Sequence, residues 1–163
     1  MNARDAIKLN LDQATMICNM YLGDLTDKDL LVRPVTGCNH IAWQLGHTIA
    51  SEYGLVESAY PGTMPKLPEG FAERYTTATS KLDSPSAFHS KAQYLELMQA
   101  QRAGTIAQLN KLTDADLDKP GPEKHKDYIK NIGDLFSLQG THWMMHAGQW
   151  AVVRRKLGKK AMF

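Results

Sequence analysis

Apolar residues recur at helical spacing in four stretches of the chain. From Arg4 to Leu22, the residues Ile7, Leu11, Ala14, Cys18 and Tyr21 follow at steps of 4, 3, 4 and 3, which draws one stripe along a helix, and Gly23-Asp24 stops it. A second helix runs from Asn39, its N-cap, to Ala59 and ends at Tyr60-Pro61-Gly62. A third, capped by Ser90, spans Lys91 to Leu112 with a stripe of Leu95, Met98, Ile106 and Leu109; Arg102 falls in the middle of that stripe. The fourth runs from Ile132 to Leu157 and is stopped by Gly158. Polar connectors cover Thr26 to Gly37 and Thr113 to Asn131. The segment from Pro61 to Ser90 holds Pro61, Pro65, Pro68 and Pro85 and has no period. It is long for a loop, so it should contain a short helical turn and act as a crossover. No stretch alternates as a strand does, and no internal repeat is apparent. The pattern predicts an all-α four-helix bundle, one domain over residues 1–163, with a long crossover between helices 2 and 3.

The longest run without Asp, Glu, Lys or Arg is Leu135 to Val153, 19 residues. Its length raises the question of a membrane span. Ser137, Gln139, Thr141, His142, His146 and Gln149 interrupt it, so it reads as the central, most buried helix of a soluble bundle. The 163 residues include 19 basic and 17 acidic ones, a net charge of +2, which gives no electrostatic footprint for nucleic acid or an anionic membrane. Arg154, Arg155, Lys156, Lys159 and Lys160 form a basic cluster, but at a helix C-terminus, where cations complement the dipole and the last carbonyls. Cys18 and Cys38 form no C-x-x-C pair and imply a reducing, cytoplasmic setting; neither adjoins a motif histidine, so neither is a candidate nucleophile. The N-terminus has no signal-peptide core.

Histidines carry the chemistry. His142 and His146, spaced i, i+4, place two imidazoles on one helix face about 6 Å apart along the axis. Two such rings can share a divalent cation at about 2.0–2.1 Å from each nitrogen. The competing reading is a pair of buried rings bonded to carbonyls or water. A catalytic site needs a third ligand and an open position. His89 and His125 lie in polar connectors and read as solvated. His40 and His47 are seven residues apart, about 10.5 Å of rise, so they cannot serve one ion together. His47 is preferred, because Gly46, Ala50, Ser51 and Gly54 around it leave space for an ion and a substrate; His40, at the helix start, reads as a capping or surface residue. The residue after His142 is Trp143 where a metalloprotease helix carries glutamate, so peptide hydrolysis of that type is not supported.

The stretch Asn39-His40-Ile41-Ala42-Trp43-Gln44-Leu45-Gly46-His47 resembles the W-x-x-G-H region of the DinB-like (DinB/YfiT) superfamily. Gly140-Thr141-His142-Trp143-Met144-Met145-His146-Ala147-Gly148-Gln149, continued by Arg154-Arg155-x-Leu157-Gly158, resembles its second signature, and residues 91–117 resemble its third helix and following turn. The resemblance implies an up-down-down-up bundle with one divalent metal, Zn or Ni, on three histidines, here His47, His142 and His146. It also implies a low-molecular-weight thiol as a candidate substrate, since characterised relatives include thiol-dependent transferases and an isomerase. The function expected from it is a metal-dependent thiol S-transferase or hydrolase acting on a small molecule; the alternative is a non-catalytic metal-binding stress or interaction protein.

Other residues could serve such a site. Gln149, three residues past His146, could bond a ligand of the metal or a neighbouring helix. Trp43, one turn before His47, is the tryptophan placed to line the site; Trp143 and Trp150 read as core. Arg102 could bind a substrate anion, but an internal ion pair or a stem reaching the bundle end is the preferred reading. A homodimer is open, since bundle helices often keep an apolar outer face.

Overall fold

The computed structural model describes residues 1–162. Four long helices form the bundle: α1 (Ala3–Leu22), α3 (Ile41–Ala59), α4 (Lys91–Leu109) and α6 (Ile132–Lys156). Two four-residue helices, α2 (Asp27–Leu30) and α5 (Asp114–Leu117), sit in the short connectors, and there is no strand among the described residues. Contacts across the bundle fix its directions. Asn10 bonds Ser137 and Arg154 bonds Tyr21, so α1 and α6 run parallel. Arg4 reaches Leu112 while Lys91 reaches Gly23 and Leu25, so α1 and α4 are antiparallel. Gln44 meets Trp150 while Glu52 meets Trp143, so α3 and α6 are antiparallel too. The order is therefore up, down, down, up, as the family resemblance implies.

Local chemistry sets the helix ends. Asn2 caps α1 by accepting from the Asp5 N–H at 2.8 Å, and Ser90 with Gln93 closes a reciprocal capping box on α4. The cap of α3 is His40, one residue later than Asn39: its Nδ1 accepts the Trp43 N–H at 3.1 Å, and its ring is fully buried rather than on the surface. Gly158 takes φ +69° just past α6, the left-handed turn that a glycine allows.

The chain does contain a repeat. Leu25-Thr26-Asp27-Lys28-Asp29-Leu30 and Leu112-Thr113-Asp114-Ala115-Asp116-Leu117 share the pattern L-T-D-x-D-L. Each makes the same capping box, Thr26 with Asp29 and Thr113 with Asp116, and each buries both leucines. One such turn follows the first helix of each half. At six residues it is too short to show as a long-period repeat, yet it fixes the way both halves leave their first helix.

The crossover, residues 60–90, holds three 3-10 turns, Ala72–Tyr75, Thr77–Thr79 and Pro85–Ala87. It packs Phe71 and Tyr75 into the core against α3. The Tyr75 hydroxyl sits 2.5 Å from His89 Nδ1 and 2.8 Å from the Tyr94 hydroxyl. His89 is thus part of a packed network, not solvated as its polar surroundings suggest. Gly46 faces this ring: a Cβ there would overlap the Tyr75 ring carbons. Its smallness seats the crossover, not an ion. Gly46→Ala should cost about 1–3 kcal/mol by overpacking, read from urea unfolding midpoints.

The charge-free stretch of α6, Leu135 to Val153, is not buried all round. Leu135, Phe136, Trp143, Ala147, Trp150 and Val153 face inward, while Met145 and Val152 stand exposed. Lack of charge marks an outer apolar face as well as a core. The basic end of α6 bonds carbonyls of other elements: Arg154 to Tyr21 at 2.8 Å, Lys156 to Arg33 at 2.9 Å and Lys159 to Asp24 at 2.9 Å. Among the described residues no helix is long and apolar enough to cross a membrane.

Candidate metal centre

The antiparallel packing of α3 on α6 brings His47 against His142 and His146. The three rings offer ligand nitrogens that all lie within 4.8 Å of one another. The Nε2 atoms of His142 and His146 are 3.2 Å apart, close to the separation of about 3.3 Å that two nitrogens 2.0–2.1 Å from one tetrahedral ion require. Ring centroids are 4.9 Å apart for His142 and His146, and 5.2 and 5.5 Å from His47 to each. His47 is held by Trp43, whose indole stacks on it at 4.9 Å and 7°. Trp43 is itself tied to the crossover, its Nε1 donating to the Thr76 carbonyl and the Thr79 hydroxyl, both at 3.2 Å.

Gln44 is the residue that sequence reasoning missed. It is fully buried, one turn before His47. Its Oε1 accepts from Trp150 Nε1 at 2.9 Å. An indole only donates, so this contact fixes which end of the amide is oxygen. The same oxygen lies 3.0 Å from His146 Nδ1. That nitrogen must carry the proton, and Nε2 is left with its lone pair facing the other two rings. The amide nitrogen of Gln44 donates to the Asn39 carbonyl at 2.7 Å and to Gln149 Oε1 at 3.0 Å. The signal was present as an uncharged polar residue inside W-Q-L-G-H, on a helix otherwise apolar at that level. Among the described residues Gln149 bonds Gln44 and no histidine, and it lies on the exposed side of α6.

An outer hydrogen bond of this kind fixes the tautomer and aim of an imidazole and would prepare it to bind a metal. Gln44→Leu should weaken Ni or Zn binding about 10–100-fold, measured by calorimetric titration, while an intact helical circular dichroism spectrum checks the fold.

Burial and mutual repulsion keep the rings neutral, the form that binds a cation. His142 is pushed down to about 4 by burial, then by His47; His146 to about 3 by burial, then by its two neighbours; burial lowers His47. Burial also lowers His40 and His89. The unfolded chain takes up these protons near pH 6.5, where the folded chain does not, so stability rises with pH in this window. The metal-free protein should lose stability on acidification from about pH 6.5 toward pH 4, seen as a falling urea midpoint.

The other candidates lie elsewhere. Arg102 sits inside the bundle behind α3, where its NH2 donates to Glu52 Oε2 at 3.2 Å and to the Gln139 carbonyl at 3.3 Å. Glu52 also accepts from Trp143 Nε1 at 2.7 Å and the Thr105 hydroxyl at 2.7 Å. The guanidinium thus has a protein carboxylate as its partner. Cys18 is buried, its thiol pushed up to about 12, which leaves it inert.

The cluster fits a divalent cation on the spacing of its donors and on their neutral form, and imidazole suits both Zn and Ni. No curated protein matches the chain. Among solved structures it is similar to YfiT from Bacillus subtilis, described as a probable metal-dependent hydrolase with an unusual four-helix bundle topology: TM-score 0.63 and 20% identity, over 96% of this chain and 89% of that one. At that identity the likeness establishes the fold. The sequence profile of the DinB superfamily matches residues 10–150, which span both histidine-bearing helices, and the chain belongs to that superfamily.

Proposed function

We propose that this protein is a metal-dependent hydrolase that holds one divalent cation, Zn or Ni, on His47, His142 and His146 and acts on a small molecule. The observation that carries the reading is the convergence of three neutral imidazoles within 4.8 Å, one of them locked by Gln44 with its Nε2 turned inward. A bound cation supplies Lewis acidity, which lowers the pKa of a water or thiol that it takes up. The protein's own part is to fix the ligands: Gln44 sets the proton on His146, Trp43 stacks on His47, and the crossover holds Trp43. Hydrolysis is placed first because YfiT, with the same fold, is described as a probable metal-dependent hydrolase.

Thiol S-transfer is the second reading. The cluster includes no carboxylate to serve as a base for water, and a thiol on a cation ionises without one. Elemental analysis of protein purified without added metal, followed by turnover assays on an ester panel and on thiol–electrophile pairs, tests both. One equivalent of Zn or Ni with ester cleavage supports the hydrolase; thiol consumption without ester cleavage favours the transferase. Bound metal with neither activity would leave the non-catalytic binding role. Self-association, with the exposed Met145 and Val152 of α6 as candidate contacts, belongs to the same proposal, checked by sedimentation.

A further inference from the structure

Beyond His47, α3 continues the same face. Ser51 and Gly54 follow at i+4 and i+7, about 6 and 10.5 Å further along the axis. Both border an open cavity of about 220 Å³ at the surface, where Tyr128 is 59% exposed. Leu55 and, from the connector between α5 and α6, Lys124, His125 and Tyr128 form the rest of its wall. That connector is held down by buried Ile129, and the His125 carbonyl accepts the Tyr128 and Ile129 N–H groups at 3.1 and 2.9 Å. His125 is therefore placed, not loose. Gly54 differs from Gly46: a Cβ added there would meet no atom within 4 Å, so the space beside it is open.

The lining offers donors and no carboxylate. Lys124 makes no ion pair among the described residues, while its neighbour Glu123 is engaged by Lys126. The Ser51 hydroxyl has no hydrogen-bond partner there either. His125 Nδ1 and the Tyr128 hydroxyl are 2.9 Å apart. In either neutral tautomer this pair owns two acidic hydrogens and spends one on its mutual bond. The other, on His125 Nε2 or on the Tyr128 oxygen, is left for a ligand. Leu55 and the Tyr128 ring supply apolar sides. One ammonium suits a monoanion; a phosphate dianion is usually met by more than one cation.

Resting on the metal reading above, we infer that this cavity is the substrate pocket, and that it takes small planar carboxylates, the carboxylate bonded by Lys124 and the His125–Tyr128 pair while the far end of the molecule points along α3 to the histidines. The probe is benzoate, with isosteric benzamide as the uncharged control, titrated into the metal-free protein and followed by amide NMR. Benzoate should shift the Ser51, Gly54 and Tyr128 resonances saturably. Lys124→Ala should weaken it about tenfold, the loss of one charge-assisted bond; benzamide should bind more weakly by a similar factor. Gly54→Phe should abolish the shifts while keeping the circular dichroism spectrum and thermal midpoint, since its ring occupies open space. Shifts centred elsewhere, equal binding of benzamide, or an unchanged Lys124→Ala would overturn the assignment. The titration needs no metal, so it is read separately from metal content: carboxylate binding without metal uptake keeps this pocket and removes the hydrolase reading, and metal uptake without carboxylate binding does the reverse.

Discussion

Glu52→Ala should destabilise the protein by about 3–5 kcal/mol, the usual cost of removing one partner from a buried ion pair. Glu52 and Arg102 are 1% and 5% exposed. Without the carboxylate, Trp143 Nε1 and the Thr105 hydroxyl lose their oxygen acceptor, and the Arg102 guanidinium keeps only its bond to the Gln139 carbonyl. The guanidinium is already short of partners, since its Nε and NH1 atoms are buried without a hydrogen bond. Left buried without an acceptor, each of these donors carries its desolvation cost. The double variant Glu52→Leu/Arg102→Met should recover much of the loss, because an apolar pair of similar length needs no compensation. Urea unfolding of the two single variants and the double variant forms the cycle that measures the coupling. If Arg102→Met alone left stability unchanged, the ion pair would not be the structural anchor described here.

The second large effect falls on metal uptake. His47→Ala, His142→Ala and His146→Ala should each lower affinity for Ni or Zn at least about a hundredfold, because two imidazoles remain where three converged. His40→Ala provides the contrast. That ring caps α3 through Nδ1 and bonds the Leu82 carbonyl through Nε2 at 3.0 Å, so its loss should cost about 2 kcal/mol of stability, one cap and one hydrogen bond, with metal affinity retained. Calorimetric titration beside thermal melts separates the two kinds of histidine. Equal metal loss in His40→Ala and His47→Ala would undo the choice between them.

The origin of each feature explains why some were readable and others were not. The four long helices follow from stripes at 3.6-residue spacing and from stop signals such as Gly158, which act within one turn of chain. The pair His142 and His146 is likewise local, since i, i+4 fixes a shared face on any helix. His47 could be preferred over His40 only by its neighbours, and one of those, Gly46, turned out to serve Tyr75 instead. Arg102 stood out as a charge on an apolar stripe, but its partner Glu52 lies 50 residues away. His89 reads as solvated from its sequence neighbours, but Tyr75 and Tyr94 reach it from the crossover and from α4.

By itself the sequence determined the helical class, the helix ends only approximately (α3 is capped by His40 rather than Asn39, and α4 stops at Leu109 rather than Leu112), and which imidazoles can share a face, because hydrophobic period and capping are properties of neighbouring residues. The tertiary structure alone decided that α3 meets α6 in the antiparallel sense that closes three rings within 4.8 Å, that Gln44 rather than Gln149 orients His146, and that Ser51 and Gly54 open on Lys124, His125 and Tyr128. Those facts depend on distances between residues far apart in the chain, which are set by packing the whole bundle and by no local preference.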